Sequence, residues 1–90
     1  FHEKTAPAFE QEAEDAFFHF IQLHGEEAAL QFRNIEKLQR ETEEERLSQG
    51  ELGVMHCFIG GREIHSHHEF CTDDSVAQGS SVALQRVKRN

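Results

Sequence analysis

The stretch Val54-Met55-His56-Cys57-Phe58-Ile59-Gly60-Gly61-Arg62-Glu63-Ile64-His65-Ser66-His67-His68-Glu69-Phe70-Cys71 decides how this chain folds, because two strand-competent runs flank a Gly-Gly pair. Both central positions of a primed two-residue turn need φ above zero, which glycine supplies without steric cost. The pair therefore predicts a β-hairpin with Gly60 and Gly61 at its apex. Its register follows outward from there: Ile59 opposite Arg62, Phe58 opposite Glu63, Cys57 opposite Ile64, His56 opposite His65, Met55 opposite Ser66 and Val54 opposite His67. Side chains alternate across a strand, so Met55, Cys57, Ile59 and Ile64 form an apolar face. Val54, His56, Phe58, Glu63, His65 and His67 fall on the other.

The same stretch holds both cysteines and four of the seven histidines. On the polar face His56 and His65 are directly opposed, about 5 Å apart at Cβ, and His67 stands one pleat further along. Zinc with an open position takes three protein nitrogens and a water, so His56, His65 and His67 are the candidate metal ligands, with Glu63 or Glu69 as a general base. A His-x-His strand beside a third His resembles, over this handful of residues alone, the tri-His sites of carbonic anhydrases and cupins. The chain is too short and too helical at its start for either fold. The plainer reading of the cluster is a set of half-exposed strand histidines that face water or pack under a helix. A third is acid sensing, in which protonated imidazoles repel one another and Glu63 and Glu69 damp the effect.

Cys57 and Cys71 are the expected disulfide, closing a loop of about fifteen residues worth roughly 3 kcal/mol in loop entropy. A perfectly regular hairpin would put the two sulfurs on opposite faces, so the bridge requires the second strand to end or bulge near His68. Two free buried thiols, or a structural zinc shared with His68 or His56, are the alternatives.

Upstream, Thr5 is a plausible N-cap, Pro7 suits a first turn, and Phe9, Ala13, Ala16, Phe17, Phe20, Ile21 and His24 recur at helical spacing up to Gly25. Phe18 lies opposite that stripe, either as a lone exposed aromatic or as an anchor for a partner or a second subunit. A second helix is predicted from about residue 26 to 47, with Ala28, Phe32, Ile35, Leu38 and Thr42 on its apolar face. Downstream, Thr72-Asp73-Asp74-Ser75 carries turn or helix-cap chemistry, Gln78-Gly79-Ser80-Ser81 reads as a loop, and Val82, Leu84 and Arg86 alternate as a final strand. The expected architecture is an α+β single small domain over residues 1–90, with two helices packed on a small antiparallel sheet of the central hairpin and that C-terminal strand.

Ninety residues with eight Phe and neither Trp nor Tyr can build one thin core and little of a deep catalytic cleft. The formal charge of −8 is concentrated at the start, where residues 1–51 hold thirteen acids against five bases. A negative surface repels phosphate backbones and anionic membranes, so neither nucleic acid nor a lipid surface is an expected partner, and no apolar run is long enough to span a membrane. An even cysteine count in a short chain that starts at Phe1 fits a secreted, extracellular protein. The function that fits is a secreted interaction module, toxin-, effector- or inhibitor-like, which binds a protein partner without catalysis and without a cofactor. Its candidate contacts are Phe18, Gly60, Gly61 and Arg62. The alternatives are a zinc-binding domain or small metalloenzyme on the tri-His site, and an intracellular fragment whose helices pair with another chain.

Overall fold

The hairpin forms in the register that the Gly-Gly apex dictates. In the computed structural model, which describes residues 4–50 and 53–89, the order of elements is α1 (Ala6–His24), α2 (Glu26–Ser48), β1 (Val54–Ile59), β2 (Arg62–His67) and α3 (Asp73–Arg89). Phe1, which enters the expectation of secretion, lies outside the described residues. Among the described residues the arrangement is α+β, three helices and one two-stranded antiparallel sheet. All six predicted cross-strand pairs are present, from Ile59 with Arg62 to Val54 with His67. Lys4 adds a single parallel bridge to Ser66.

The apolar hairpin face is the floor of the core. Met55, Cys57, Ile59 and Ile64 are buried together with Phe9, Ala13, Ala16, Phe17 and Ile21 of α1. Gly60 and Gly61 have φ of 57° and 81°, and a Cβ on Gly60 would stand 2.5 Å from the carbonyl oxygen of Ala16. Glycine is thus required at residue 60 twice over, for its backbone conformation and for the contact that presses the hairpin tip onto α1. Gly25 links α1 to α2 on its own, at φ 89° and ψ 161°, a region in which a side chain is strained.

The disulfide Cys57–Cys71 is present, and β2 ends where it must. After His67 the chain turns, with the Phe70 and Cys71 N–H groups both donating to the His67 carbonyl, and this swings Cys71 back beneath the sheet, where it is buried.

Two sequence expectations are corrected. The C-terminal strand at Val82, Leu84 and Arg86 does not form; residues 73–89 are one helix, α3. Thr72 caps it, its Oγ1 accepting from the Ser75 N–H at 3.2 Å, and Asp73 and Asp74 at its start with Arg86, Lys88 and Arg89 at its end match the helix dipole. Val76, Gly79, Ser80 and Ala83 are buried at helical spacing, because α3 packs chiefly on α1. The residues that read as a loop are what allow this approach: a Cβ on Gly79 would lie 3.3 Å from the Ala13 Cβ. The second correction is the facing of α2. It buries Ala29, Glu36 and Arg40 rather than the stripe through Ile35, Leu38 and Thr42, a rotation of about one residue.

Candidate functional site

Alternation along β1 and β2 that buries one face of the hairpin necessarily presents the other. His56, Phe58 and Glu63 are exposed on it, and His65 and His67 are half-buried. α2 runs beside β1, so this outer face meets the flank of α2 in an open cleft of about 400 Å³ lined by Leu38, Gln39, Arg40, Thr42, Glu43, His56 and Phe58.

Two features share this region. The first is a cluster of donors. His56 Nδ1 is 2.7 Å and His65 Nε2 is 3.2 Å from the same carboxylate oxygen, Oε1 of Glu63. The two imidazoles stack with centroids 4.2 Å apart and planes inclined by 16°, as directly opposed residues on a hairpin do. Among the described residues, His56, Glu63 and His65 each offer one ligand atom within 4.8 Å of the other two. His67 shares the face, and its ring stands edge-on to Phe70 at 5.8 Å. His68, beyond the end of β2, reaches Met55 Sδ at 3.5 Å through Nδ1 and Glu44 at 3.8 Å through Nε2.

The second feature is apolar. Leu38 is 64%, Ile35 54% and Phe58 41% exposed. Ile35 and Leu38 are three residues apart on α2 and so are neighbours on its surface, and Leu38 and Phe58 both line the cleft. Glu41, Glu44 and Glu45 stand exposed on the same helix. Glu43 is held below the usual carboxylate range chiefly by its hydrogen bond from Arg46, with a smaller contribution from the charge of His56.

The other contact candidates are engaged within the chain. Phe18 is half-buried, with the Arg86 guanidinium 3.9 Å above its ring. Arg86 is itself held by Asp15 at 2.8 Å. Arg62 is exposed, with a 3.4 Å contact to Glu12. The Gly61 N–H donates to Glu36 Oε2 at 3.3 Å. Glu36 is fully buried, and burial raises its pKa to about 7 against the opposing pull of the Gly61 N–H and Arg40. Arg40, nearly as buried, binds Asp73 at 3.1 Å and ties α2 to the start of α3.

Ile35 and Leu38 were legible as an apolar stripe but pointed to the core. The signal that they face outward is the second stripe one residue away, Ala29-Phe32-Glu36-Arg40-Leu47. Its buried charges have tertiary partners that no local pattern reveals. Compared with protein-family models, curated proteins and solved structures, the chain matches none of them.

Proposed function

We propose that this protein is a secreted binding module that acts by docking a protein partner whose surface is both apolar and basic. The observation that carries the reading is the pair of exposed side chains Leu38 and Phe58 lining an open cleft, with exposed Ile35 one turn from Leu38 on α2. Side chains this apolar gain from leaving water, and a few side chains desolvated at the centre of an interface carry most of its energy. The glutamates beside them and the net charge of −8 select the partner's sign. They favour cations and oppose a second copy of the same chain, which would bring a second −8 to the contact. The Cys57–Cys71 bridge supports an extracellular setting, where disulfides form and persist and where a thin core gains from one. Among the described residues no helix is long and apolar enough to cross a membrane.

The test uses two labelled amphipathic helical peptides of equal pattern, one Leu/Lys and one Leu/Glu, read by fluorescence anisotropy. The Leu/Lys peptide is expected to bind, and Leu38→Glu and Phe58→Glu each to weaken it by about tenfold or more. Leu23→Glu, which alters an exposed leucine on α1, serves as the control with no effect. Equal binding of the two peptides, or binding indifferent to Leu38→Glu, overturns the reading. So does concentration-dependent dimerisation abolished by Leu38→Glu, which would assign the face to a second copy.

A further inference from the structure

Beyond partner docking, we propose that His56, Glu63 and His65 form a surface site for a divalent first-row transition ion, zinc foremost. Neither Ile35 nor Leu38 contributes to it, so the site stands or falls separately from the docking face.

The geometry begins with the hairpin register. Opposed imidazoles at positions 56 and 65 sit at cross-strand spacing, and Glu63, two residues before His65 on the same strand face, reaches both. Two ring nitrogens converge on one carboxylate oxygen at 2.7 and 3.2 Å. Donors already gathered within 4.8 Å need only side-chain rotation to close on the roughly 2.0–2.2 Å that zinc takes from nitrogen and carboxylate oxygen. The rings open from their stacked arrangement as they turn toward a common centre.

The scaffold beneath is rigid. Gly60 is pressed on Ala16, Gly61 is bonded to Glu36, and the disulfide leaves β1 at Cys57, next to His56. Ligands on such a strand pair lose little freedom on binding, which favours affinity. Glu43, which lines the same cleft as His56, adds to the local attraction for a cation.

The donor set selects the ion class. Two imidazoles and one carboxylate suit zinc, copper(II), nickel or iron(II). Calcium and magnesium want six or more oxygens, mostly from carboxylates, carbonyls and water. Copper(I) wants soft sulfur, and both thiols are tied in the disulfide. Three protein ligands leave a zinc ion one coordination position for water or for a donor from a partner.

The test is titration of the oxidised chain with zinc chloride alone in chelator-treated buffer, followed by calorimetry and by long-range proton–nitrogen NMR of the imidazoles. One saturable site per chain is expected, with Nδ1 of His56 and Nε2 of His65 shifting together. His56→Ala and His65→Ala should each weaken binding by about tenfold or more, Glu63→Gln by about tenfold, and His68→Ala by less than about threefold. Circular dichroism of each variant checks that the fold tolerates the change. Absence of a stoichiometric site, or a site that survives the His56→Ala/His65→Ala double substitution, overturns the proposal. Equal loss in His67→Ala with no loss in Glu63→Gln overturns this ligand set in favour of three histidines.

Discussion

α1 and α2 are adjacent helices of similar length joined by one glycine, yet they use their apolar residues in opposite ways. α1 turns its stripe of Phe9, Ala13, Ala16, Phe17 and Ile21 into the core. α2 turns Glu36 and Arg40 inward and leaves Ile35 and Leu38 in water. The difference lies in what each helix must cover. α1 touches both strands and both other helices, so its inward stripe is enclosed on several sides. α2 lies chiefly along β1, where the hairpin tip offers a backbone N–H at Gly61 and α3 offers the carboxylate of Asp73. Those two groups give the buried Glu36 and Arg40 one hydrogen-bond partner each, while Glu36 Oε1 and Arg40 Nε and Nη1 are buried without one among the described residues. The facing of α2 thus follows the long-range contacts of Glu36 and Arg40 rather than its apolar stripe.

The largest test of that contrast is a truncation on α1. Phe17→Ala should cost about 3–5 kcal/mol, measured by urea denaturation, because it opens a cavity in the packed centre. Arg40→Ala on α2 should cost about 3 kcal/mol by the same measurement, since Asp73 and Glu36 lose their common cation. A cost below about 1 kcal/mol would mean that the buried charges do not orient α2.

Glu36 gives a pH signature. Its pKa rises from 4.5 to about 7 on folding, so the folded chain holds this proton more tightly than the unfolded one. Its contribution to stability is fully present below about pH 4.5 and is lost as the pH climbs to about 7, by at most about 3 kcal/mol. Arg40, Arg33 and Asp73 belong to the same charge network, and other carboxylates titrate in the same range. The readout is therefore the difference between wild type and Glu36→Gln: relative to Glu36→Gln, wild type should lose stability between about pH 5 and pH 7.5, and parallel curves would show that Glu36 ionises freely. Smallest of all, Ile35→Ala and Leu38→Ala should change stability by less than about 0.5 kcal/mol. A loss above about 2 kcal/mol at either position would place that side chain in the core and remove the docking face.

Much of the hairpin was legible because its information is local. A Gly-Gly apex fixes the turn, the turn fixes the register, and alternation then assigns Met55, Cys57, Ile59 and Ile64 to the interior and His56, Glu63 and His65 to one outer patch. The bridge from Cys57 to Cys71 was legible with its condition, an early end to the second strand. α3 was misread because Gly79, Ser80 and Ser81 look like a loop in isolation. Against Ala13 of α1, Gly79 is the small residue that lets the two helices approach, so a tertiary contact outweighed a weak local propensity. Ile35 and Leu38 were read correctly as a stripe and assigned to the wrong side. The convergence of Glu63 on both imidazoles, with the His67 ring turned to Phe70, depends on side-chain torsions that strand alternation does not set.

The sequence alone determined the turn, the strand register and the span of α1, because each follows from backbone sterics and the reach of the chain between near neighbours. Only the tertiary structure decided that the last segment coils against α1, that α2 hides its charges and shows its leucines, and that a carboxylate joins two histidines. Those outcomes are settled by competition among groups distant in sequence for the same buried partners.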